Sequence, residues 1–210
     1  MIKRIIDLLV SSTLLVLLSP IVLILSISVL CLHGRPAIFC QPRAGINGKP
    51  FMMYKLRTMT NQLDCNGQLL DDFDRLTRFG RFLRSTSLDE LPGLWNVIRG
   101  DMSLVGPRPL LLEYIPHYSK TQFRRHEVLP GVTGWAQING RNKIPWDKKF
   151  ELDVWYVDNR SILLDIKILA MSLSKVLKRV DVEDEKNITA PKFSRNKEEK
   201  NTSGGSSNAL

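Results

Sequence analysis

A chain of 210 residues with a formal charge of +9 and a pI near 9.6 has room for one domain with a proper core plus appendages, and a second full domain does not fit. The excess of base calls for an anionic partner, for which nucleic acid, acidic lipid headgroups and phosphorylated small molecules all qualify. Three cysteines at spacings that match no zinc ligand set, and three scattered histidines, read as a reducing compartment without a transition-metal site.

From Leu8 to Leu32 the chain carries no charge and is dominated by Leu, Ile and Val, enough for a hydrocarbon core of about 30 Å. A cleaved signal peptide would have a shorter apolar region and a small-residue cleavage site, which "CLHGRPAIFC" does not offer. Ser19 and Pro20 sit at the midpoint, where Pro removes a backbone donor and favours a kink. Lys3 and Arg4 precede the segment and Arg35, Arg43 and Lys49 follow it, so the positive-inside rule favours export of neither end. A helix that enters and leaves by one face satisfies both flanks; a tilted spanning helix with a tolerated Pro is the alternative.

"AIFCQPRAGINGKPFMMYKLRTM" then reads as strand, turn at Asn47-Gly48, and a second strand through Tyr54 to Arg57, with Lys55 and Arg57 on one face. Residues 60–72 form a polar loop. In "DRLTRFGRFLRSTS" the apolar residues Leu76, Phe79 and Leu83 recur at helical spacing, which predicts a short amphipathic helix. "SLDELPGLWNVIRG" predicts a second, with Ser87 as N-cap and Gly100 closing it. Gly-Pro-rich turns follow, and then two helices, about Asp147–Asp158 and Ile162–Val180, the latter too short and too charged at Asp165 and Lys167 to span. Beyond Asp181 the composition is too polar to order itself. The glycosylation patterns at Asn187 and Asn201 lie in this tail, which should be cytoplasmic.

Asp89 and Glu90 pose the chemical question. Ser87-x-x-Glu90 fits a capping box, with Asp89 favouring the positive helix end. The same geometry serves chemistry: a carboxylate at a helix start among guanidinium groups stays ionised at neutral pH and can attack an electrophilic phosphorus, while its neighbour holds a metal. A diphosphate needs neutralising before an anion can approach it, and Mg²⁺ with Arg or Lys supplies that. Candidates are Lys55, Arg57, Arg78, Arg81, Arg84, Arg108 and Arg141. Neither a Walker loop nor a Gly-x-Gly-x-x-Gly is present.

The run "RLTRFGRFLRSTSLDELPGLWNVIRGDMSLVGPRP", with "YKLRTM" before it and "PGVTGWAQINGRN" and "FELDVWYVDNRSILLDIKIL" after it, resembles the bacterial sugar transferases, the monotopic phosphoglycosyl transferases, over residues 1–178. The resemblance implies transfer of a sugar 1-phosphate from a UDP-sugar to undecaprenyl phosphate with release of UMP, by a ping-pong route through an aspartyl phosphosugar, as the first membrane step of surface glycan or glycoprotein assembly. It implies an α+β, mostly helical fold. A re-entrant helix broken at Ser19-Pro20 (residues 1–34) would precede a cytosolic catalytic domain with interfacial helices and a small β-hairpin (35–180), followed by a disordered tail (181–210).

On this resemblance Asp89 is the nucleophile and Glu90 a Mg²⁺ ligand. Lys55, Arg84, Arg108 and Arg141 match basic positions expected around the phosphates and nucleotide, Arg57 and Arg78 stay with them as substrate-binding candidates, and Asp153 and Asp165 match family acids without an assigned role. The expected site is the cytoplasmic face of the bacterial inner membrane, in contact with its lipids and without nucleic acid. A homodimer is admitted, and the sugar is not readable. The single hydrophobic segment argues for the short stand-alone form and against the polytopic transferases. A purely lipid- or nucleic-acid-binding module would leave Asp89-Glu90 idle.

Overall fold

The computed structural model describes residues 1–140 and 144–178, together with Phe193. The described chain is mostly helical with two small sheets. Helix α1 (Ile2–His33) is 32 residues long and is long and apolar enough to cross a membrane. It runs unbroken through Pro20. Pro20 has no N–H for the Val16 carbonyl, and the Ser19 hydroxyl donates to that carbonyl instead, at 2.7 Å. The break expected at Ser19-Pro20 is therefore absent: the helix is continuous, because the Ser19 hydroxyl fills the carbonyl that Pro20 leaves without a donor.

Both ends of α1 dock on the remainder of the chain. At the start, Lys3 reaches Asp165 and the Val105 carbonyl, and Arg4 donates to the carbonyls of Val97 and Ile98. One turn on, buried Asp7 accepts from the Ser103 hydroxyl at 2.7 Å and from the Leu104 amide. At the far end Val29 packs with Leu56 and Leu83. His33 Nδ1–H donates to the Arg57 carbonyl, which fixes the tautomer so that Nε2 accepts from the Thr77 hydroxyl at 2.7 Å. Between these anchors Val16, Leu17, Leu23 and Ile24 are exposed.

Strands β1 (Ile38–Ala44) and β2 (Pro50–Leu56) pair antiparallel with Cys40 opposite Tyr54. They form the expected hairpin, joined through a 3₁₀ turn in which Asn47 takes φ 53°, a left-handed conformation that Asn tolerates. After the single turn α2 (Asp72–Arg75), helix α3 (Arg78–Ser85) begins later than its apolar spacing suggests, because Thr77 caps it by accepting from the Gly80 amide. Gly80 lies against the end of the hairpin: a Cβ there would sit 1.9 Å from the Thr58 carbonyl oxygen. Helix α4 (Gly93–Arg99) ends at Gly100, whose φ of 93° lets its amide reach back to Asn96 and Val97.

Beyond it β3 (Ser103–Val105) pairs in parallel with β4 (Gly131–Thr133) across a stretch that contains the turn α5 (Lys120–Phe123). This parallel pair is not foreshadowed by the periodicity of the sequence. The turn α6 (Trp135–Ile138) leads on to helices α7 (Trp146–Asn159) and α8 (Ile162–Lys178). The main core joins Met53 of β2, Leu94 and Val97 of α4, Val105 of β3, Tyr156 of α7 and Ile168 of α8. On α8, Leu163, Ile166 and Leu173 stay exposed.

Candidate active site

The dyad is positioned by α4 and β2. Asn96, fully buried on α4, accepts from the Tyr54 amide and donates to the Met52 carbonyl at 2.7 Å. This side chain satisfies the edge of β2 and bolts the helix to it. The chain enters α4 through a 3₁₀ turn, Leu88–Glu90, set up by Ser87 at φ 56°. Ser87 makes no side-chain cap. The capping-box reading therefore fails: Glu90 is drawn to cations across the site, and Ser87 is in the left-handed region, whereas a capping residue is extended.

Glu90 Oε1 takes Lys55 Nζ at 2.8 Å and an Arg108 nitrogen at 3.0 Å. Burial works to raise its carboxyl, but the charges and hydrogen bonds of Lys55 and Arg108 outweigh burial and hold it at about 2. Asp89 beside it is 8% exposed, and among the described residues none donates a hydrogen bond to its carboxylate. Burial first, and then the Glu90 charge, push it up to about 6, against the pull of Lys55, Arg84 and Arg108. At pH 7 it is ionised and more basic than an ordinary carboxylate, which suits a nucleophile.

The surrounding bases divide. Lys55 and Arg108 grip Glu90. Arg84 donates to the Thr58 hydroxyl at 3.0 Å and lends its charge to Asp89. Arg57 is buried elsewhere: strand β2 ends at Leu56, so the alternation that would align Arg57 with Lys55 stops, and its guanidinium bonds the carbonyls of Arg35 and Met59. Arg78 lies on α3 about 240° around the helix from Arg84, at about 100° per residue, and is exposed. Arg141 lies outside the described residues.

The two acids without an assigned role are both engaged by partners within the fold. Asp165 receives Lys3 and the Tyr156 hydroxyl, the latter at 2.7 Å. Buried Asp153 receives Arg125 through two nitrogens at 3.0 and 2.7 Å, and the same guanidinium donates to the Arg108 carbonyl at 2.7 Å. A chain of contacts thus runs from Asp153 through Arg125 and Arg108 to Glu90. Arg125 went unnoticed in the sequence because "RRHE" reads as a solvated charge run; only its fold partners distinguish it from Arg124. The anchors Asp7 and His33 were likewise unmarked.

No group of three or more His, Cys, Asp or Glu that could cage a metal occurs among the described residues. Magnesium needs no such group, being commonly bound by one or two carboxylates together with substrate phosphates. Glu90 suits it: both protein cations fall on Oε1, and the carboxylate stays anionic across the physiological range.

The chain matches the bacterial sugar transferase family over residues 1–179 and belongs to it. It is 54% identical over 191 residues to a Bacillus subtilis protein named uncharacterized sugar transferase EpsL, covering 91% of this chain and 95% of that one. It is 42% identical over 183 residues to the UDP-glucose:undecaprenyl-phosphate glucose-1-phosphate transferase of Klebsiella pneumoniae, covering 82% of this chain and 39% of the relative. A galactosyl transferase, CpsE, of Streptococcus agalactiae is 44% identical over 158 residues, 69% of this chain and 35% of that one. The chain therefore spans nearly all of one relative and well under half of the others.

Proposed function

We propose that this bacterial sugar transferase moves a sugar 1-phosphate from a UDP-sugar to undecaprenyl phosphate, through a covalent intermediate on Asp89. The observation that carries this reading is the contrast inside the dyad: Glu90 is locked by two cations, whereas Asp89 is buried among three charges, bonded to none and raised to about 6. An Asp89 oxygen attacks the β-phosphorus of the UDP-sugar. The bond from that phosphorus to the bridging oxygen breaks, and UMP leaves with the electron pair. An oxygen of undecaprenyl phosphate then attacks the same phosphorus, the Asp89–phosphorus bond breaks, and the carboxylate is restored.

Lys55, Arg84 and Arg108 face the anionic groups and lower the repulsion between nucleophile and diphosphate. Magnesium, held by Glu90 and diphosphate oxygens, would supply further charge neutralisation there. Both ends of α1 bind one body of the protein, which supports both ends of the helix lying on one side of the membrane, and on this reading that side is the cytoplasmic face. There the lipid phosphate would meet Asp89 at the membrane surface.

Incubation with a UDP-sugar alone tests the reading. One equivalent of UMP should appear without acceptor, and mass spectrometry should find a sugar phosphate on Asp89. UMP release that requires both substrates, with no adduct after quenching, would reduce Asp89 to a base or metal ligand.

A further inference from the structure

The polar C-terminal stretch has one aromatic residue among positions 181–210, Phe193, and its ring sits in an aromatic pocket of the catalytic body. The centroid of Phe193 is 5.0 Å from that of Phe150 and 5.8 Å from that of Tyr114, both edge-on. It lies 5.7 Å from Trp146, and 5.9 Å from Tyr118 in a stacked arrangement. These are the separations at which ring quadrupoles attract, and two edge-on partners with one stacked partner define a shaped site for a planar ring. We infer that the C-terminal segment docks on its own catalytic body through Phe193, which completes the aromatic pocket of Tyr114, Tyr118, Trp146 and Phe150.

Phe193 is the one aromatic side chain in the sequence from 181 to 210, so that stretch offers no other ring for this pocket. The pocket also adjoins the reactive region: Arg125 lies over the rings of Tyr118 and Phe150, at 6.0 and 5.8 Å, and donates to the Arg108 carbonyl. Docking of Phe193 backs the rings on which Arg125 rests. This inference stands on ring geometry and does not depend on the reaction proposed above.

Hydrogen exchange on the full-length protein in lipid nanodiscs tests it, comparing the natural chain with Phe193→Ala. The amides of residues 112–118 and 146–150 should exchange about tenfold faster in the variant, with those of α4 unchanged, and trypsin should cut faster after Lys192 and Arg195. A synthetic peptide covering residues 187–200, added to Phe193→Ala, should restore protection. The same peptide with Ala in place of Phe should not. Equal exchange and equal cleavage in the two proteins would overturn the inference. So would protection in the natural chain that rises with protein concentration, which would assign the pocket to Phe193 of a second copy.

Discussion

Asp89 and Asp153 are both buried aspartates beside arginine, and both have carboxyls pushed upward chiefly by burial. Their surroundings differ in one respect. Asp153 is gripped at one oxygen: Arg125 donates to Oδ2 through Nε and Nη2, and Nη2 also donates to the Arg108 carbonyl. Asp89 is open: three cations act on it through space and none is bonded to it. A buried charge held by direct ion-pair hydrogen bonds fixes structure, whereas one that no cation bonds keeps its oxygens available to a reaction partner. The cations that could have closed Asp89 are occupied, Lys55 and Arg108 with Glu90 and Arg84 with Thr58.

The sharpest way to break this contrast is substitution of each acid by its amide. Asp89→Asn should lower UMP release by on the order of 10⁶-fold, as removal of a nucleophile does elsewhere, while its melting temperature holds or rises. Asp153→Asn should show the reverse weighting. Leaving Arg125 buried and unpaired should cost about 3 kcal/mol of stability, measured by denaturant titration, with activity falling through displacement of Arg108. If Asp153→Asn folds as stably as the natural protein and yet is inactive, the division between a structural and a reactive acid is wrong.

Acid sharpens the comparison, because each region answers to a different group. His126 is buried beside Arg125 and donates from Nδ1 to the Gly45 carbonyl; burial and then the Arg125 charge lower it to about 4. Its folded value lies below its ordinary 6.5, so as pH falls the unfolded chain binds the proton first. The stability it contributes is complete above about 6.5 and is lost as pH falls toward 4, by at most about 3 kcal/mol. His126→Gln keeps a donor without gaining a proton, and its stability should be flatter across that window. The smallest effect concerns Arg84. Arg84→Gln removes a charge that favours ionised Asp89, so the acid limb of the turnover profile, near pH 6, should move up by roughly half a unit. Movement downward would show that Arg84 does not act on Asp89.

Much of the helical framework was legible because it is local. The spacing of Phe79 and Leu83, the terminal Gly100 and the Asn47-Gly48 turn each correspond to observed elements. The dyad, Lys55 and Arg108 were legible through resemblance, and α4, held by Asn96, brings them together. Failures came where long-range partners decide. Glu90 does not complete a box with Ser87, because Lys55 and Arg108 bind it. Arg57 leaves the face of Lys55, because the strand ends one residue before it. The parallel pairing of β3 with β4 joins segments of three residues each, too short for alternation to register. The reading of 181–210 as a disordered tail falls outside the described residues except at Phe193, whose ring packs against the body.

The anchoring of α1 also bears on how the protein is made. Its first turns are tied to partners far along the chain: Arg4 to Val97 and Ile98, Asp7 to Ser103, and Lys3 to Asp165, 162 positions later. At about 5–20 residues per second of synthesis, roughly 8–30 seconds separate the appearance of Lys3 from that of Asp165. During that interval the apolar helix exists without the body that covers its ends, and the bilayer is the one solvent that suits it. On the proposed membrane placement, insertion would come first and the catalytic body would assemble onto a helix already in the bilayer, with the Lys3–Asp165 pair formed late.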